Sequence, residues 1–146
     1  MKRSSTTRRL FQREGTTAVE MALVLPIFLT VVFGCMEFSR LSMIRSQTAN
    51  AAYEGARFAM VQGSTEADAT QAVDRGLGIL GIQGATTTVR FQDENESPVT
   101  QGQATRINVQ VDVPYGQNGY LSPFLPQSIY NSTLTSQVTL RTNLHN

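Results

Sequence analysis

The sequence predicts an α+β protein with a long N-terminal helix, a short second helix and a small antiparallel β-meander. Three observations support this fold class. An apolar run fills residues 16–38, small and apolar residues continue at helical spacing to residue 62, and the apolar period changes to two after residue 85. The first two predict one continuous helix, and the third predicts strands with one buried and one solvated face.

The apolar run is long enough to span a membrane. Residues 21–36 contain no charge, and Glu20 and Glu37 lie close to the two ends of the run; about 20 mostly apolar residues cross the hydrocarbon core. The leader before Thr16 carries five basic residues and one acidic residue, against seven basic and ten acidic residues in the rest. Because cytoplasmic flanks are rich in Lys and Arg, the N-terminus is predicted to be cytoplasmic and the chain after Phe38 to lie outside.

These features divide the chain into a basic leader (residues 1–15), a transmembrane helix (16–38), an exposed continuation of that helix (39–62) and a small outer α+β domain (63–146). We expect the leader to lack regular structure or to be removed. A helix from Thr16 to Met60 would be about 67 Å long, so about half of it must lie outside the bilayer. Its outer half carries a stripe at three- and four-residue spacing, formed by Leu41, Ile44, Thr48, Ala52, Gly55 and Ala59.

The outer domain is predicted from turn and strand signals. Gly63 ends the long helix, and Thr65 with Asp68 forms a capping pair for a second helix that runs to about Leu80. Three segments then alternate apolar and polar residues, at residues 86–92, 104–115 and 134–142. The apolar face of this sheet is expected to pack on the outer half of the long helix or on the short one.

Glu20 is the unexpected residue of the apolar run, because a charge inside a bilayer costs about 3 kcal/mol. A cut after Gly15 would make Thr16 the first residue of the mature chain. Its new α-amino group would then lie about one helical turn from Glu20. The two charges could pair within one chain or between neighbouring copies, so that each offsets the cost of the other.

A basic leader, Gly15, four residues, Glu20 and an apolar helix together resemble the type IV prepilins. More narrowly, GTTAVEMALVLP, followed downstream by AAYEGARFAM, resembles the TadE-like family of minor pseudopilins of the tight-adherence (Tad/Flp) pilus system, over residues 13–61. The resemblance implies a pilin-like fold, cleavage between Gly15 and Thr16 by a prepilin peptidase, and Glu20 as the pilin glutamate. Many type IV pilins have Phe where this chain has Thr16, so N-methylation there does not follow.

The resemblance also implies where the protein acts and with what. The expected partners are the prepilin peptidase, other Tad pilins and pseudopilins, and the inner-membrane assembly platform with its motor ATPase. The expected location is the bacterial inner membrane, as a single-pass protein with a cytoplasmic N-terminus and a periplasmic C-terminal domain. Whether the protein enters the extracellular adhesion pilus or stays at its base is not implied.

Two further features of the long helix are candidate packing sites. Pro26 predicts either a tolerated kink or a contact with other pilin helices. In AAYEGARFA, Glu54 and Arg57 form a solvated pair at i, i+3, whereas Gly55 and Ala56 favour close packing against the sheet or a partner.

Several function classes have little support. The chain has one cysteine, Cys35, and one histidine, His145, so it cannot build a Cys/His metal site, and no cofactor is expected. The acidic cluster at residues 93–96 lacks the glycine and distal glutamate of an EF-hand and predicts a solvated turn rather than a calcium loop. No carboxylate is paired with a nucleophile motif, and no basic patch is interleaved with aromatics, so neither an enzyme nor a nucleic-acid-binding protein is expected.

Two alternatives keep the membrane anchor and differ in processing. One is a signal-anchored periplasmic interaction domain that is never cleaved. The other is a lipoprotein anchored at Cys35, because VFGC approximates a lipobox, although Phe33 is bulky where that motif prefers a small residue. In the pseudopilin hypothesis, the apolar loop Tyr120–Tyr130 is predicted to contact a partner or a surface, or to cap the sheet's own core.

Overall fold

The computed structural model describes residues 7–61, 63–121 and 126–142, with the backbone alone for residues 7–15. The helices are α1 (Thr7–Ala59), α2 (Glu66–Gly78) and the four-residue α3 (Gln127–Tyr130), and the strands are β1 (Thr86–Gln92), β2 (Arg106–Pro114) and β3 (Thr133–Arg141). Two single turns of 3-10 helix occupy Gln101–Gln103 and Tyr115–Gln117. The predicted α+β class is confirmed, with its long N-terminal helix, short second helix and three-stranded antiparallel sheet.

The chain divides into two compact units, Met1–Phe38 and Ser39–Asn146. The described part of the first unit is entirely helical, and α1 already includes residues 7–15. The expectation that the leader lacks regular structure was therefore wrong for residues 7–15, and its removal by cleavage stays a prediction. The reason is local: between Thr7 and Glu14 the leader contains neither proline nor glycine, and Leu, Arg, Gln and Glu are good helix formers.

In the second unit, α1 buries one stripe of mostly small residues. The buried positions repeat every three or four residues and are Ile44, Thr48, Ala51, Ala52, Gly55, Ala56 and Ala59. The Thr48 hydroxyl is satisfied within the helix, because its Oγ1 donates to the Ile44 carbonyl oxygen at 2.8 Å. The buried Thr48 hydroxyl is therefore hydrogen-bonded, as buried polar groups usually are.

Helix α2 starts at the predicted capping pair. Thr65 Oγ1 accepts from the Asp68 backbone N–H at 3.3 Å, and Asp68 Oδ2 accepts from the Thr65 backbone N–H at 2.7 Å and from the Thr65 hydroxyl at 2.8 Å. These bonds to Thr65, the backbone bond most of all, lower the pKa of the Asp68 carboxyl below its usual 3.8. Gly63, with φ of +87°, reverses the chain just before the cap, in a conformation that glycine adopts without strain.

The sheet has the order β1-β2-β3, with both pairs antiparallel. Val109 of β2 lies opposite Val89 of β1 and Val138 of β3. Burial alternates strictly along β2, where Ile107, Val109, Val111 and Val113 are buried and the residues between them are half-exposed. Burying each such side chain contributes about 1.5–3 kcal/mol, so β2 is the main apolar element of the sheet.

The hydrophobic core joins this face of the sheet to both helices. It contains the buried residues of α1, α2 (Ala69, Val73 and Leu77), β1 and β2, together with Ile82. On β3, in contrast, Leu134, Val138 and Leu140 are only partly buried. The core is thus complete under β2 and open toward the β3 edge.

Candidate functional site

The predicted cleavage junction lies within the continuous helical backbone of α1. Gly15 is helical, and Thr16, Thr17 and Glu20 are exposed. Thr16 and Thr17 take part in interactions of their own and are not free side chains. Since Thr16 and Glu20 are four residues apart in a helix, they lie on the same face, one turn from each other.

The segment after the junction has the properties of a membrane anchor. Within the described residues, α1 is the helix that is long and apolar enough to cross a membrane, with a mean hydropathy of 2.2 over its most apolar window. None of that window is buried against protein. Large side chains such as Leu23, Ile27 and Phe28 are therefore exposed on a surface that water solvates poorly.

Pro26 lies inside α1. Because proline has no backbone N–H, it leaves one carbonyl of the preceding turn without its helical donor. The Pro26 carbonyl oxygen accepts a hydrogen bond from the Thr30 hydroxyl, at 2.8 Å. Hydroxyl bonds of this kind keep a helix polar group satisfied in an apolar surrounding.

Cys35 is an exposed free thiol on the same helix, and an added Cβ at the neighbouring Gly34 would meet nothing within 4 Å. Nothing around Cys35 among the described residues distinguishes it from other side chains of the apolar surface.

The AAYEGARFA segment has two faces. On the outer face, the guanidinium of Arg57 and the carboxylate of Glu54 are 4.0 Å apart and both largely exposed. On the inner face, a Cβ added to Gly55 would lie 2.5 Å from Val73 Cγ2, 3.3 Å from the Ala69 carbonyl oxygen and 3.6 Å from Val109 Cγ1. Gly55 thus lies where α1 closely approaches α2 and β2, and Ala56 is buried beside it.

A contact that the sequence did not indicate joins the start of the second unit's helix to the turn after β2. Arg40 Nε donates to the Asn118 carbonyl oxygen at 3.1 Å, and its guanidinium carbon is 5.4 Å from the centre of the Tyr120 ring. Asn118 is buried, and its side-chain amide holds Gln83 and Pro114 through three further hydrogen bonds of 2.8–2.9 Å. No local sequence signal links positions 40 and 118.

Gln101 makes a second unpredicted contact. Its side-chain Nε2 donates to the carbonyl oxygen of Ala59, the last residue of α1, at 3.2 Å and to Ser64 Oγ at 2.9 Å. One of the orphan carbonyls at the helix end is thereby satisfied by a residue 42 positions away.

The acidic cluster behaves as a closed turn. Asp93 Oδ1 accepts from the backbone N–H groups of Asn95 and Ser97 at 2.8 and 2.9 Å, and Glu96 lies 3.4 Å from Arg106. Over the part of the chain that the structure describes, no three His, Cys, Asp or Glu residues are grouped to hold a metal ion. His145 and residues 122–125 of the apolar loop lie outside the described residues.

Comparison with known proteins bears on one segment of the chain. Neither the curated proteins nor the solved structures gave a match. The family model described as TadE-like protein matches residues 15–57, which run from the predicted cleavage glycine to the arginine of AAYEGAR. The TadE-like resemblance seen in the sequence is thereby confirmed for residues 15–57, which make up less than half of the chain.

Proposed function

We propose that the chain is the precursor of a TadE-like minor pseudopilin, cleaved after Gly15 by a prepilin peptidase and used in the assembly of a Tad-type adhesion pilus. The observation that carries the proposal is the family match over residues 15–57, because it contains both the Gly15–Glu20 spacing and the EGAR segment. An exposed apolar helix directly after the junction is the form that an assembling pilin requires.

The mechanism is assembly rather than catalysis. The basic leader keeps the N-terminus in the cytoplasm, and the membrane holds the apolar helix until helix packing in a pilus complex replaces lipid. After cleavage, the α-amino group of Thr16 and the carboxylate of Glu20 provide opposite charges one turn apart. An unpaired charge is costly at membrane depth, so pairing with a neighbouring copy would select one register between subunits.

The partners in this proposal are the peptidase, other Tad pilins and pseudopilins, and the inner-membrane platform. The outer domain is periplasmic, and the protein has no catalytic role of its own. These partners follow from the family to which residues 15–57 are similar.

The mature N-terminus tests processing. Intact mass and N-terminal peptide sequencing of protein from its host membranes should give a chain that starts at Thr16. Gly15→Val should remain at full length, whereas the matched control Gly34→Val, in the same helix and with no neighbour within 4 Å, should be processed normally. A wild-type chain starting at Met1 would support the uncleaved anchor, and a lipidated Cys35 start would support the lipoprotein.

Glu20 tests the assembly step separately. Glu20→Gln should be cleaved normally but should reduce surface pili, since the amide keeps the shape of the side chain and removes its charge. Glu37→Gln, at the other end of the apolar run, is the matched control and should assemble. Normal piliation of the Glu20→Gln strain would contradict a registering role for this carboxylate.

A further inference from the structure

Strand β3 is an outer strand of the sheet and is nine residues long. At its two ends, the Tyr115 backbone N–H donates to the Ser132 carbonyl oxygen, and the Thr142 backbone N–H donates to the Thr105 carbonyl oxygen, both at 2.9 Å. Residues along an antiparallel strand alternate between those that bond to one neighbour and those that face away from it. The even-numbered residues of β3 therefore bond to β2. The odd-numbered residues direct their N–H and C=O groups to the opposite side of the strand, the β3 edge.

The two outer strands differ in how their free sides are covered. On β1, the Val99 backbone N–H donates to the Phe91 carbonyl oxygen at 3.0 Å, and Gln92 forms a bridge with Pro98. Among the described residues, no such segment pairs with the β3 edge. The sequence of β3 also contains neither proline nor lysine, which commonly protect sheet edges. An uncovered edge of this length can accept a further strand.

A groove lies on the inner side of the sheet, between β3 and α1. It has a volume of about 460 Å³ and is lined by Arg45, Thr48, Ala49 and residues 133–137. The same face of β3 carries the partly buried apolar side chains of Leu134, Val138 and Leu140. A strand added at the β3 edge would direct every second side chain to this face. Apolar residues at those positions would close the core where it is open.

The charge of the groove indicates what else the added strand carries. The guanidinium of Arg45 has no hydrogen bond or ion pair to a residue that the structure describes, and the described lining includes no Asp or Glu. A carboxylate on the added strand is the complementary group. The outer strands of a second copy of this chain, β1 and β3, contain Arg90 and Arg141 but no acidic residue. A second copy would therefore leave Arg45 without a counter-charge, whereas a different protein can supply one.

We propose that the β3 edge binds an extended segment of a partner protein, which joins the sheet as an antiparallel strand next to β3. Antiparallel pairing continues the arrangement of the sheet and is the more stable of the two kinds. The segment alternates apolar and polar residues, with its apolar side chains over Leu134 and Val138. A carboxylate in its C-terminal half pairs with Arg45, because an antiparallel segment ends beside Thr133. The inference depends neither on cleavage nor on pilus assembly.

A synthetic peptide tests the strand addition. It matches the nine residues of β3 in length, alternates threonine and valine, and has one glutamate in place of the valine nearest its C-terminus. Residues opposite each other on paired strands share a face, so its threonines bond to the odd-numbered residues of β3 and its valines face the groove. Its affinity for the full-length chain in nanodiscs is measured by the fluorescence anisotropy of a dye on its N-terminus.

N-methylation separates backbone pairing from simple apolar binding. N-methylation of two central threonines should weaken binding about tenfold or more, because it removes two donors to the β3 edge. N-methylation of two central valines is the matched control and should leave the affinity nearly unchanged, since those N–H groups point away from β3. An equal loss from the two modifications would overturn the proposal, and so would a failure of the unmodified peptide to bind.

Substitutions in the chain locate the binding. Gln137→Pro removes an N–H of the β3 edge but no bond to β2, so it should abolish peptide binding and keep the near-UV circular dichroism of the chain. Arg45→Gln should weaken binding of the glutamate peptide by up to about fivefold and should not affect a peptide with glutamine in its place. Arg141→Gln, on the outer face at the far end of β3, is the control. An equal effect of Arg45→Gln on both peptides would contradict the charge pair.

The oligomeric state distinguishes a partner protein from a second copy. Gln137→Pro should leave the oligomeric state of the full-length chain in detergent unchanged, as measured by analytical ultracentrifugation. If the wild-type chain associates and Gln137→Pro separates the copies, the β3 edge is an interface between copies and the assigned partner is wrong. The N-terminal and piliation measurements test the proposed function independently of this result.

Discussion

The two parts of α1, before and after Phe38, differ in which side chains are exposed and which are buried. In the first unit, large apolar residues such as Leu23, Ile27 and Phe28 are exposed. In the second unit, most of the buried positions of α1 are small, namely four alanines, Gly55 and Thr48, and Ile44 is the one large buried residue among them. Burial therefore does not follow hydrophobicity along this helix. Large exposed apolar surface indicates a lipid or protein partner, and small buried residues indicate close approach of the helix to its own domain.

The sheet repeats the contrast on a smaller scale. β2 lies between two strands and above both helices, so its inward side chains are completely covered. β3 is the edge strand, and the residues directly opposite those of β2 are only partly covered. This gives matched pairs of residues that share a row of the sheet and differ in burial.

The largest expected effect concerns such a pair, Ile107 and Leu140. Ile107 is 1% exposed and Leu140, its cross-strand neighbour, is partly buried. Ile107→Ala should lower the free energy of unfolding of the second unit by about 2–5 kcal/mol, because it leaves a cavity as well as losing burial. Urea unfolding of the full chain in nanodiscs, followed by the near-UV circular dichroism of its tyrosines, measures the loss.

Leu140→Ala is the control for this measurement. It should lower the free energy of unfolding clearly less than Ile107→Ala, since water already reaches the partly buried Leu140 side chain. Equal losses for the two variants would mean that the β3 edge is covered in the intact protein. That result would contradict the difference in burial between β2 and β3.

A smaller effect is expected at Gly55, in the packed part of α1. Gly55→Val places a Cβ 2.5 Å from Val73 Cγ2 and 3.3 Å from the Ala69 carbonyl oxygen, so the Val73 side chain or the backbone of α1 or α2 must shift. Such overpacking costs about 1–3 kcal/mol in the same unfolding measurement. Gly34→Val, in the exposed part of the same helix, should leave the free energy of unfolding of the second unit unchanged. A loss of stability comparable to that of Gly55→Val would contradict the distinction between the two parts of the helix.

The smallest effect concerns the cap of α2. Thr65→Ala should cost about 1 kcal/mol, because it removes the hydroxyl that accepts from the Asp68 backbone N–H. The pKa of Asp68 is lowered in the folded state, so its ionised form stabilises the cap above the usual value of 3.8. This contribution is lost as the pH falls through the lowered folded-state pKa.

Thr65→Ala keeps the backbone N–H bond to Asp68 and removes the hydroxyl bond to the same carboxylate. The part of the unfolding free energy difference that comes from the hydroxyl bond should be constant near neutral pH and shrink below about pH 3.8, as the pH approaches the lowered folded-state pKa. Asp68→Asn should remove that pH dependence, since the amide does not titrate. A difference that grows on acidification would show that another carboxyl dominates and that the cap geometry is not the cause.

The sequence determined the secondary structure well because each element rests on a local pattern. The 86–92 strand, the alternation of β2, the Thr65–Asp68 cap and the stripe through Ile44, Ala52 and Ala59 all follow from spacing within a few residues. The TadE-like resemblance belongs to the same kind of signal, since it lies in one continuous stretch. The leader was expected to lack regular structure because it is short, polar and without apolar periodicity, but several of its residues are good helix formers and residues 7–15 are helical.

Only the tertiary structure decided which distant groups meet. The sequence could not indicate that Asn118 is the partner of Arg40, that Gln101 closes the end of α1, or that β3 leaves the core open. Spacing reports which residues share a face, but these contacts join residues 42 to 78 positions apart and depend on how the faces close against each other. Gly55 was decided partly by each. The sequence predicted that something packs closely against this glycine, but only the tertiary structure shows that Val73 and Val109 are its neighbours.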